Sequence, residues 1–195
     1  MDTSAPKGKA GTWLLDPAGI TIDAGPTDTA GFTQNAATNH VAAADIVAAL
    51  SSGNVTVTTT GAFAPNTDIV VAAPITLPFA LGGAHTLSLN SAGGIDVNAA
   101  INGAASDVNL QMQSHGTINI NAGGSISMND VSIYALSGDL NIADQITALN
   151  NKSIFLGAPT GNIAFTGTGK ANASGTGTVS QSRYGPIIIH ARSLD

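Results

Sequence analysis

The sequence predicts an all-β fold, a parallel β-helix (solenoid), on three observations. Short apolar–polar–apolar triplets recur as Leu87-Ser88-Leu89, Val108-Asn109-Leu110, Val131-Ser132-Ile133 and Ile154-Phe155-Leu156. An interleaved series reads Ile95-Asp96-Val97, Ile118-Asn119-Ile120, Leu140-Asn141-Ile142 and Ile163-Ala164-Phe165. The step within either series is 21–23 residues, which is a solenoid period. A weaker third series follows at Ile75, Ile101, Ile126 and Ile146, so each coil holds three short strands between corners of Gly, Asn, Ser and Ala. Alternation along a strand places the outer two side chains of a triplet on one face and the middle one on the other. If coils stack ~4.8 Å apart, Ile95, Ile118, Leu140 and Ile163 form an inward column. Asp96, Asn119, Asn141 and Ala164 then form an outward one. About seven coils would make a rod of roughly 34 Å.

Taken in order, residues 1–10 read as a flexible lead-in, small and polar with Pro6 and two Lys. Residues 11–195 read as a single β-helix stack, with an N-terminal coil over 11–54 and repeated coils over 55–195. Trp13-Leu14-Leu15-Asp16-Pro17 followed by Ile20-Thr21-Ile22-Asp23 has a strand, a Pro/Gly turn and a second alternating strand. Residues 24–39 break the rhythm and read as a loop. Val41, Ile46, Val47 and Leu50 lie at roughly helical spacing among alanines, which predicts one short helix over 41–50. Thr38 or Asn39 is placed to cap its start and Gly53 lies just past its end. Val55-Thr56-Val57, Ile69-Val70-Val71 and Ile75-Thr76-Leu77 make an oversized coil with inserted Pro65, Pro74 and Pro78. The Gly- and Ser-rich strip over 167–177 has the length of a third strand and turn, and is read so rather than as a linker. A last coil is read from Val179 and Ile187-Ile188-Ile189. Trp13, Leu14 and the helix are expected to cover the N-terminal end of the stack. At the other end only Pro186, His190 and Arg192 discourage pairing at the strand edge, so end-to-end self-association is expected.

Composition narrows the function classes. Charged residues make up 9% of the chain, every acid is Asp, and the net charge is −6. With no basic stripe to neutralise phosphates, nucleic acid binding is a poor fit. There is no Cys, so disulfides, thiol chemistry and Cys-ligated metals are out. No apolar run approaches the ~18 residues of a spanning helix, while 43% hydrophobic content in regular alternation argues against disorder.

Parallel β-helices can host carbohydrate chemistry, which needs convergent carboxylates and aromatic platforms. Asp107 and Asp130 are the best pair, since each immediately precedes the first strand of its coil, with Lys152 near the same column one turn on. No aromatic residue flanks them in a neighbouring column of the repeat, and solvated turn acids are the reading the sequence favours. His40, His85, His115 and His190 fall at unrelated phases of the repeat, without metal or triad spacing. Thr56 to Thr60 suggests an ice-binding array, but the outward columns Ser88, Asn109, Ser132, Phe155 and Asp96, Asn119, Asn141, Ala164 are not Thr-rich. Gly82-Gly83, Gly93-Gly94 and Gly123-Gly124 are corners rather than phosphate loops. The sequence thus assigns no catalytic, cofactor-binding or metal residue, and no cofactor.

The string Thr12-Trp13-Leu14-Leu15-Asp16-Pro17 followed by Ile20-Thr21-Ile22, then by the predicted helix and Asn54-Val55-Thr56-Val57-Thr58, resembles large secreted adhesins of the filamentous haemagglutinin type. Gly93-Gly94-Ile95-Asp96-Val97-Asn98-Ala99 and Gly116-Thr117-Ile118-Asn119-Ile120-Asn121-Ala122 are similar to the repeats of those proteins. The resemblance covers most of residues 11–173, without the N-terminal secretion-domain signature of the family. It implies a right-handed β-helix and a Gram-negative cell-surface location. It also implies export by a partner transporter in the outer membrane, and a receptor on a host or neighbouring cell. The chain then reads as a piece of shaft or early passenger region, with no enzymatic residues to carry over. A carbohydrate-active β-helix enzyme and a phage or injection-system fibre segment are the alternatives.

Overall fold

A computed structural model describes residues 11–28, 39–59, 67–77, 84–103, 106–182 and 188–189. The lead-in, Thr38, Pro65, Pro78, Gly82-Gly83, Pro186, His190 and Arg192 lie outside the described residues. The chain winds coil after coil through short strands. The first coil has β1 (Thr12–Leu15) and β2 (Ile20–Asp23), after which β3 (His40–Ala42) leads into α1 (Ala43–Leu50). The next has β4 (Asn54–Thr58), β5 (Ile69–Val71) and β6 (Ile75–Thr76). Three regular coils follow: β7 (Thr86–Ser91), β8 (Ile95–Val97), β9 (Ile101–Asn102); β10 (Asn109–Ser114), β11 (Ile118–Ile120), β12 (Ile126–Met128); and β13 (Val131–Ala135), β14 (Leu140–Ile142), β15 (Gln145–Ala148). Then come β16 (Ile154–Gly157), β17 (Ile163–Phe165) and β18 (Lys170–Ala173), and finally β19 (Val179–Ser182) and β20 (Ile188–Ile189).

Strands of like position pair in parallel to give three sheets. The first is seven-stranded, β1-β4-β7-β10-β13-β16-β19; the second is eight-stranded, from β20 through β17, β14, β11, β8, β5 and β2 to β3; the third is five-stranded, β18-β15-β12-β9-β6. The result is a β-solenoid of about 6 turns. That falls short of the expected seven coils because, among the described residues, neither the first coil nor the last has a strand in the third sheet. The strip over 167–177 does supply the third-sheet strand β18, which pairs with β15.

Alternation sets the interior. Ile95, Ile118, Leu140 and Ile163 are fully buried, and Val97, Ile120 and Ile142 form a second buried column beside them. The middle residues pair Asp96 with Asn119, Asn119 with Asn141 and Asn141 with Ala164, all on the outer side. The first sheet departs from the expected register. Leu110, not Val108, lies against Leu87 and Val131, so Gln111 rather than Asn109 fills the outward position between Ser88 and Ser132. A two-residue slip preserves the inward/outward phase, and Val108 stays buried in the turn that precedes β10.

The helix is shorter than expected. Val41 and Ala42 belong to β3, which adds to the second sheet beside β2, so tertiary pairing overrides local helical spacing there. Asn39 does not cap α1: the N-cap is Ala42, with no side-chain bond, while the Asn39 amide donates to the Gly19 carbonyl at 2.9 Å. At the other end the Gly53 N–H closes onto the Ala49 carbonyl. Ala43, Ile46, Ala49 and Leu50 form the buried face, which packs on β3, β4 and β6. The helix thus occupies the place a further third-sheet strand would take. Trp13 is partly buried against the core and lines a groove with Asp45, Ala48 and Ala49. Leu14 covers nothing: it points outward, 60% exposed.

Candidate functional site

The interior is a column of aliphatic side chains, so any chemistry must come from the outer faces and corners. The expected stack of Asp107, Asp130 and Lys152 does not form. Because β10 is shifted, Asn109 lies against Asp130: the Asp130 N–H donates to Asn109 Oδ1 at 3.2 Å. On the other side the Ser153 N–H donates to Asp130 Oδ1, also at 3.2 Å. Asp107 sits two residues earlier in an exposed turn, and Lys152 closes a separate turn through its N–H on the Leu149 carbonyl. The column is therefore Asn109, Asp130, Ser153, with one carboxylate.

The three described histidines make separate contacts. His40 Nδ1 meets Asp23 Oδ2 at 2.6 Å and ties β3 to β2. His85 Nδ1 meets the Leu50 carbonyl at 2.6 Å, a cap on the last turn of α1. His115 is exposed at a corner. Among the described residues no group of three or more His or Asp stands together as a metal site would require. Thr56 and Thr58 do face outward on β4, but the columns that continue from them are mixed. One runs Leu14, Thr56, Ser88, Gln111, Ser132, Phe155, Ser180. The other runs Thr58, Asn90, Gln113, Tyr134, Gly157, Ser182.

These two columns contain what the sequence reading missed. Tyr134 and Phe155 stack across β13 and β16, ring centroids 6.1 Å apart and planes 12° from parallel. Phe155 also lines a groove of about 250 Å³ with Asn109, Gln111, Asp130, Ser132 and Ser153. An aromatic ring therefore does flank Asp130, contrary to the expectation that none would. The available signal was parity: Ser132 and Tyr134 must face the same way, as must Phe155 and Gly157. Chemically the groove offers amides, hydroxyls, one carboxylate and an aromatic face, an array suited to hydrogen bonding and stacking. The paired carboxylates of glycoside hydrolysis are not among its lining residues.

The geometry is thus that of a parallel β-solenoid whose outer faces carry polar columns and, on the first sheet, a groove edged by Phe155. No protein family, curated protein or solved structure matches the chain significantly.

Proposed function

We propose that the chain is a shaft segment, structural and adhesive, of a large secreted bacterial surface protein, and that it acts without enzymatic turnover. The observation that carries this reading is the unbroken stacking of three parallel sheets. Every coil rests on its neighbours, so the fold extends by repetition and its length serves as a spacer. The exterior suits such a role: it is polar through Asn, Ser, Thr and Gln, with few charges. The resemblance of the Trp13 to Pro17 string and the Gly-Gly-Ile-Asp-Val-Asn-Ala repeat to filamentous haemagglutinin-type adhesins supplies the cellular setting. In that setting an outer-membrane transporter exports the parent protein, and a host or neighbouring cell carries its receptor.

The test uses cells that make the parent protein. Antibody raised against residues 84–182 should label intact cells, and protease added outside should remove the label. Loss of the partner transporter should abolish both effects. An epitope confined to the cytosolic fraction would overturn the proposal.

A further inference from the structure

Tyr134 and Phe155 are held as a platform on the outer face of the first sheet. Gly157, the register partner of Tyr134, has no side chain, and a Cβ built there would fall on the Tyr134 ring edge, well inside contact distance of Cδ2. The ring therefore lies across the glycine and runs nearly parallel to Phe155. Beside Phe155, the groove between β10, β13 and β16 presents the Gln111 and Asn109 amides, the Ser132 hydroxyl and the Asp130 carboxylate, while the Ser153 hydroxyl is paired with Thr178.

From this juxtaposition we infer that the groove binds one pyranose unit of an uncharged glycan. A sugar ring has an apolar C–H face and an equatorial belt of hydroxyls. The first needs an aromatic surface; the second needs groups that both donate and accept, which amides and hydroxyls do. Asp130 uses Oδ1 on the Ser153 N–H and, as a carboxylate with several acceptor sites, can take a sugar hydroxyl in a charge-assisted bond. The volume of about 250 Å³ lies below the ~300–1,000 Å³ of sites for larger ligands, which fits a single ring. Charge sets the class. The lining holds no Lys or Arg, so a sulfated or sialylated sugar would find no cation and would meet Asp130 as a like charge. With one carboxylate the groove binds and does not cleave. The inference deepens the adhesive reading, which gives it a biological setting, but the binding itself does not depend on that reading.

The test is titration of the isotopically labelled 195-residue chain with neutral sugars, followed by NMR. Methyl glucoside, methyl galactoside, N-acetylglucosamine and their disaccharides form the panel, with sulfated galactose and sialyllactose beside them. At least one neutral sugar should give saturable shifts at Gln111, Tyr134 and Phe155, with Kd on the order of 1 mM. Phe155→Leu keeps apolar bulk without the ring and should weaken binding at least ~10-fold at an unchanged fold, checked by circular dichroism. Gln111→Ala should weaken it several-fold, and Asn172→Ala on the third sheet should not change it. No saturable shift up to ~50 mM, binding indifferent to Phe155→Leu, or a preference for the sulfated sugar would each overturn the inference. Surface labelling separates the two readings. A surface-exposed rod that binds no neutral sugar removes this inference alone, and a sugar-binding chain that never leaves the cytosol removes the shaft reading alone.

Discussion

The Asn119 side-chain amide donates a 2.8 Å hydrogen bond to the Asp96 carboxylate of the neighbouring coil, and Asn141 donates in turn to Asn119 at 2.9 Å. The ladder is directional: each Nδ2 points toward the N-terminal end, where a carboxylate receives the first donor. Asn119→Asp removes that donor and sets two carboxylates face to face. It should cost about 1–2 kcal/mol at pH 7, measured as the urea midpoint. Asn141→Asp has Asn119 on one side and Ala164 on the other, so it should cost less. Equal losses in the two variants would show that charge repulsion is not the cause.

Ile120 lies one residue further along the same strand and is fully buried between Val97 and Ile142. Ile120→Asn keeps the approximate size but places an amide among aliphatic side chains, and should cost about 2–5 kcal/mol. Asn121→Ser, on the outer side, should stay within about 1 kcal/mol, since it gives up a part-exposed bond to Asn98. Comparable melting temperatures for the two variants would reverse the inward and outward faces assigned here.

The corner after β11 separates two uses of glycine. Gly123 has φ +90, and a Cβ there would meet only the Asn98 carbonyl at an ordinary 3.5 Å, while a Cβ on Gly124 would strike the Val97 carbonyl of the adjacent coil. Gly123→Ala should therefore cost about 1 kcal/mol through backbone strain. Gly124→Ala must push two coils apart and should cost about 2–3 kcal/mol. Denaturant melts that rank them the other way would mean the coils are not in contact at this corner.

Much of this was readable from the chain because the side-chain period of a strand is two and the coil period is nearly constant. Ile118, Ile120, Leu140 and Ile142 could be placed inside, and Asn119 and Asn141 outside, without any coordinates. The register of β10 could not be read so. Val108 and Leu110 have the same parity, and only stacking on Leu87 and Val131 decides between them. That slip is what separates Asp107 from Asp130. The aromatic pair escaped for a related reason: Tyr134 lies one outward step beyond its triplet, so triplet columns alone did not bring it to Phe155. Local sequence does not fix the start of α1 because Val41 suits either state, and pairing with Ile22 makes it strand.

The two ends of the stack differ, and the difference predicts how the isolated chain associates. At the N-terminal end α1 packs over β6, the edge of the third sheet, and Ile46 is fully buried beneath it, while β1 of the first sheet pairs only with β4 among the described residues. At the other end, among the described residues, no strand pairs with the far side of β18 or β19. The Thr178 and Ser182 carbonyls accept from Ile154 and Ala158 of the preceding coil, so by alternation Val179 and Gln181 turn their backbone groups toward the open side. Such an edge templates pairing with another copy. The chain should self-associate weakly, with Kd on the order of 100 μM, seen as a concentration-dependent sedimentation coefficient. Gln181→Pro removes an edge N–H without touching the bonds to β16 and should restore a monomer. Ile46→Asp should act in the opposite sense, because a buried unpaired carboxylate lifts α1 and opens the β6 edge as well. If the parent and the Ile46→Asp variant both sediment as monomers at high concentration, the edges are not competent to pair and the stack is closed at both ends.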